Sequence, residues 1–164
     1  MKKQTGFTLL ELMVTFIVFG TVLVVAIPSF QALLERKSIE SIAPLFERSI
    51  KLARTEAIQR NVTVRILPKE LGDDWSLGWS IEYTDADNAI VTIRHFDPLP
   101  GSPVFSSDDF DTNNPIQIRP SGQAFEIGTL SLYYPGCIGK QMFSFQLLIS
   151  GILKKDHVEC PASP

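Results

Sequence analysis

Few residues in this chain have the types and spacing that chemistry requires. Cys137 and Cys160 are its only cysteines, with 22 residues between them. An oxidising compartment would join them as a disulfide, and a reducing one would leave two buried thiols. Together with His95 and His157 they lack the paired ligand spacing of a zinc site, so no metal is expected. Either histidine could be set beside a serine and an aspartate, but no Gly-x-Ser-x-Gly nucleophile elbow occurs. Gly136-Cys137-Ile138-Gly139 has the Gly-x-x-Gly spacing of a nucleotide clamp without the helices that surround one. There is no phosphate loop or dinucleotide fingerprint, and neither an enzyme activity nor a cofactor is expected. Glu11 is more informative. It stands at the start of a long apolar run, where a carboxylate in lipid costs about 2.5 to 3.5 kcal/mol and so marks a functional group unless it snorkels to the headgroups.

The element that must position Glu11 is legible. No charged residue occurs over the 23 positions from Leu12 to Leu34. A helix from Phe7 to Phe30 would rise roughly 36 Å, enough to cross a hydrocarbon core of about 30 Å. Lys2 and Lys3 before this run, and Val24 and Ala26 before Ile27, would also suit a secretory signal with ordinary peptidase cleavage. Two features oppose that reading: Glu11 interrupts the apolar segment near its start, and the uncharged run continues eight residues past Ala26. The 130 residues from Glu35 onward are enough for one compact domain.

The string Gly6-Phe7-Thr8-Leu9-Leu10-Glu11-Leu12 closely resembles the type IV prepilin processing motif, and Pro28 stands where that family commonly has a proline. The resemblance implies a leader over residues 1–6, cut by a prepilin peptidase between Gly6 and Phe7, with Phe7 then N-methylated. It also implies a membrane-spanning and filament-packing helix over residues 7–34 and a periplasmic pilin-like domain over residues 35–164. Glu11 would become the fifth residue of the mature chain and pair with the N-terminal amine of a neighbouring subunit. Basic residues flank both ends of the apolar run, so charge alone leaves orientation nearly balanced. The cysteine pair and the resemblance place the C-terminal domain in the periplasm.

Composition beyond the helix is ordinary, at 45% hydrophobic and 20% charged, but the formal net charge of -3 is unevenly spread. Residues 35–69 carry eight basic and four acidic groups, whereas residues 70–111 carry ten acidic groups and Arg94 alone. Such a chain is not a general nucleic-acid coat, and a polyanion would need a local patch. Ile42, Leu45, Phe46, Leu52, Ala53 and Ala57 recur at helical spacing, so an amphipathic helix continues from the membrane segment. Glu47 and Lys51 form a four-residue pair on its wet side, Pro44 predicts a kink or break near Ile42, and Asn61 suits the helix end. Strand patterns follow at Val62–Ile66, Trp79–Tyr83, Ile90–Phe96, Ile116–Arg119, Leu130–Tyr134, Phe143–Ile149 and Ile152–Lys154. Pro98 to Pro115 reads as a long surface loop. The expected class is α+β: a long N-terminal helix packed on an antiparallel β-sheet or small β-sandwich.

Three further segments resemble the GspH/FimT family of minor pilins and pseudopilins: residues 53–61, Trp75-Ser76-Leu77-Gly78-Trp79, and Pro120-Ser121-Gly122. The resemblance implies an inner-membrane, non-enzymatic subunit of a type IV pilus or a type II secretion pseudopilus. Its partners would be other pilin or pseudopilin subunits, the prepilin peptidase and an inner-membrane assembly platform. Some FimT-like members take up DNA through a C-terminal Gly-Arg-x-Arg segment. Here the corresponding residues are Gly151-Ile152-Leu153-Lys154-Lys155. Ile152 replaces the first arginine, and Lys154 and Lys155 are point charges without the guanidinium fork. Asp156 and Glu159 follow, so DNA binding is not favoured and solvated lysines are the better reading.

Overall fold

The structure is a computed structural model describing residues 9–137, 139 and 141–161; within its helix, the side chains of residues 25, 28, 29, 31, 32, 35 and 36 also lie outside the description. Contacts divide the chain into two compact units between Lys37 and Ser38. Helix α1 (Leu9–Arg60) contributes to both and is 52 residues long. It continues through Pro44 without interruption, so the expected break near Ile42 does not occur. Proline removes one backbone bond at a cost of about 3 kcal/mol. Ile42, Ala43 and Phe46, all buried on either side of it, hold the turn in place. The helix ends at Asn61, whose φ of 54° is the left-handed geometry expected there.

In the first unit, described side chains run without a gap only from Leu9 to Val24. Among the described residues, no helix is long and apolar enough to cross a membrane.

Among the described residues the second unit holds eight strands: β1 (Val64–Pro68), β2 (Trp79–Thr84), β3 (Ile90–Phe96), β4 (Val104–Ser106), β5 (Ile116–Ile118), β6 (Gly128–Tyr133), β7 (Met142–Leu147) and β8 (Leu153–Val158). They form two antiparallel four-stranded sheets, ordered β3-β2-β1-β5 and β4-β6-β7-β8. Period-two alternation explains the burial: Val64 and Ile66 of β1, and Phe143, Phe145 and Leu147 of β7, face the core while their neighbours do not. Phe46 lies at the centre. Its ring meets Trp75 in a short 3-10 turn, Trp79 of β2, Phe105 of β4 and Phe145 of β7, with centroids 4.9 to 5.8 Å apart and edge-on geometry. One helical side chain thus touches both sheets, and both tryptophans are core groups.

The segment from Pro98 to Pro115 departs from the expected surface loop. It contains β4 and buries Leu99, Phe105 and Phe110. The Trp75 Nε1–H donates to Phe110 O at 3.2 Å and the Tyr134 hydroxyl to Pro100 O at 2.7 Å, so the segment is pinned by its backbone carbonyls as well as by its buried side chains.

Each sheet edge is blunted. β4 and β5 have three residues each. β3 is longer, but its register against β2 steps from Arg94 to Thr92, which leaves Ile93 as a bulge, and Arg94 lies over the Phe96 ring. On β8, Lys155 and His157 sit against Phe143 and place polar groups on the inner face of an edge strand.

Candidate functional site

The residues singled out in the sequence fall in three places. Gly6 and Phe7, the expected cleavage and methylation positions, lie outside the described residues. Glu11 lies in the first turn of the described helix. From it an open apolar groove runs along one side of α1, lined by Leu10, Val14, Val18, Phe19 and Val22 together with Glu11 and Thr15. The spacing Leu10, Val14, Val18, Val22 is a four-residue ridge, the surface by which helices interdigitate. Thr15 and Thr21 do not disturb the apolar character. The Thr15 hydroxyl donates to Glu11 O at 2.7 Å and the Thr21 hydroxyl to Val18 O at 2.8 Å, so both are satisfied within the helix. Leu9, Phe16 and Val24 are 78%, 68% and 74% exposed, a continuous apolar face of the kind that marks a protein or membrane interaction surface.

Cys137 and Cys160 are joined, with an S–S distance of 2.08 Å and Cα atoms 6.0 Å apart. The bond ties the C-terminus, just past β8, to the connection between β6 and β7, and Cys160 N–H donates to Gly139 O beside it. β8 is the last strand and pairs only with β7, so this crosslink fastens the free end of an edge strand.

Lys154 and Lys155 both lie on β8, and the structure engages both. Lys154 Nζ is 2.7 Å from Asp156 Oδ2 on the exposed surface. Lys155 Nζ is 2.6 Å from Glu47 Oε1, an oxygen shielded from solvent. That contact lies off the hydrogen-bond direction, so it acts as a charge pair. Sequence spacing had assigned Glu47 to Lys51; the tertiary partner is Lys155, which β8 brings over the helix. No sequence signal identifies it. With each ammonium beside a carboxylate, β8 carries no free basic pair for a phosphate backbone. Among the described residues no group of three His, Cys, Asp or Glu side chains could hold a metal ion. His157 lies 4.2 Å from the Phe143 ring.

The profile of the family described as type II transport protein GspH matches residues 43–151, which spans the last third of α1 and strands β1 to β7. The chain belongs to the GspH family. The prokaryotic N-terminal methylation motif matches residues 1–27, which include Gly6, Phe7 and Glu11. Among solved structures, the type IV minor pilin FimU of Pseudomonas aeruginosa superimposes with a TM-score of 0.62 at 17% identity, covering 74% of this chain and 90% of FimU. The minor pseudopilin EpsH of the Vibrio cholerae type 2 secretion system gives 0.59 at 14% identity, covering 73% and 97%. At these identities the likeness shows the fold, a type IV pilin-like helix on antiparallel sheets. A comparison with curated protein sequences gives no match.

Proposed function

We propose that this member of the GspH family is a minor pilin or pseudopilin subunit, a non-enzymatic part of a type IV pilus or a type II secretion pseudopilus. One conjunction carries the reading: the N-terminal methylation motif over residues 1–27 overlaps the start of an apolar helix whose ridge is exposed among the described residues. The prepilin peptidase removes residues 1–6 and Phe7 is methylated. The run from Leu12 to Leu34 then holds the subunit in the inner membrane, with the disulfide-bearing domain in the periplasm. An assembly platform extracts the subunit. In the filament the ridge packs on neighbouring helices, and the Glu11 carboxylate pairs with a neighbour's N-terminal amine and sets axial register.

Glu11→Val tests the assembly step. The variant should insert into the membrane normally yet fall below detection in sheared or induced filaments by immunoblotting. Incorporation at the wild-type level would sink the reading.

A further inference from the structure

Two opposite charges line one groove of the second unit without meeting. The groove lies between α1 and the edge strand β3, with Ser41, Ile42 and Leu45 on the helix side and the chain from Arg94 to Pro100 on the other. Ile42 and Leu99 are buried and Leu45 is half-buried, so its floor is apolar. Leu99 N–H donates to Ser76 O at 2.8 Å and the Tyr134 hydroxyl donates to Pro100 O, which fixes the β3 side. Arg94 and Asp97 are exposed at the rim. Neither forms an ion pair among the described residues, with the other or with a third group. Arg94 lies over the Phe96 ring, 5.2 Å from its centroid, and Phe96 is stacked on the buried Trp79. An aromatic contact thus places the guanidinium without using its N–H donors.

The groove also comes early in the domain. Ser41 follows the uncharged run by seven residues, a chain length of at most about 25 Å beyond Leu34 whatever path the chain takes. With that run in the bilayer, the headgroup layer is within reach of the groove. A phosphate alone would suit Arg94 and be repelled by Asp97, and an ammonium alone would meet the reverse. A zwitterionic headgroup satisfies both rims at once, its phosphate on Arg94 and its ammonium on Asp97, with its apolar stem over Ile42 and Leu45.

We infer that this groove binds the headgroup of a zwitterionic aminophospholipid, of the phosphatidylethanolamine class, from the bilayer that holds the N-terminal run. The inference rests on the anchoring step of the proposed function. It gives the waiting subunit a lipid contact outside its apolar helix, one that must break on extraction.

A photo-crosslinking residue in place of Leu45 reads the contact, in the full-length chain reconstituted in vesicles of equal parts phosphatidylethanolamine and phosphatidylglycerol. Mass spectrometry should find adducts of phosphatidylethanolamine about fivefold over those of phosphatidylglycerol. A second probe at Ser41, exposed in the same groove, should give the same ratio. A probe at Ile152, beside Gly151 and the Gly122 turn that packs under Ile58, should give little of either. Arg94→Gln should lower the total adduct yield about fivefold, and Asp97→Asn should abolish the preference for phosphatidylethanolamine. Arg119→Gln is the matched control, since Arg119 lies over Phe125 in the same way but outside the groove, and it should change neither quantity. Excess soluble glycerophosphoethanolamine should not compete. Competition by it, adducts to protein only, no preference between the lipids at positions 41 and 45, or indifference to Arg94→Gln would each overturn the inference. Flotation of the chain with the vesicles tests the anchoring separately: a chain that fails to float overturns both readings, and a floating chain without the lipid adduct overturns the groove alone.

Discussion

Replacing Phe46 with alanine removes the ring on which four aromatic groups from both sheets converge. The cavity should cost about 3 to 5 kcal/mol, measured by chemical denaturation. A second residue-scale test concerns charge. Lys155→Met strips the counter-ion from a shielded Glu47 oxygen and should cost about 1 to 2 kcal/mol, between the values for exposed and buried pairs. Lys154→Met, whose pair with Asp156 is exposed, should change stability by less than about 0.5 kcal/mol. Equal effects would contradict the assignment of partners. Phe46 was recognisable in the sequence as a core group because helical periodicity governs which face is buried. The sequence could not assign Lys155 to Glu47, since a pairing across 108 positions depends on where β8 lands, and a helical i,i+4 neighbour was the better local guess.

At the scale of elements, β8 is the strand that relies most on covalent help, because it is terminal, lies at an edge and has four exposed residues among its six. Replacing Cys137 and Cys160 together with serine should lower stability by roughly 3 kcal/mol. Hydrogen exchange should show the loss first at the β8 amides, and reductant should have no further effect on the variant. Protection of β8 equal to wild type would mean that the ladder with β7 suffices. Most strands were readable from alternation between turn residues, and the helix end from Asn61. β4 was not, because three residues are too short for a period and its proline-rich surroundings look like loop. Tertiary contacts hold that segment, among them Trp75 to Phe110, Tyr134 to Pro100 and the ladder of β4 with β6. The helix through Pro44 shows the same limit: local propensity favoured a break, and burial on two sheets overrode it.

For the whole molecule, the processing site decides what kind of protein is made. Intact mass spectrometry of the mature protein should find 158 residues beginning at methylated Phe7, as cleavage after Gly6 requires. A 138-residue product beginning at Ile27 would mean conventional secretion and a different class of protein. The architecture and the family were within reach of the sequence because the Gly6 to Glu11 string is local and specific. The blunted edges bear on crowding. Copies held at high local concentration meet short or bulged margins at β3, β4 and β5 and a charged one at β8, so a neighbouring chain finds no flat apolar strand on which to template cross-β growth.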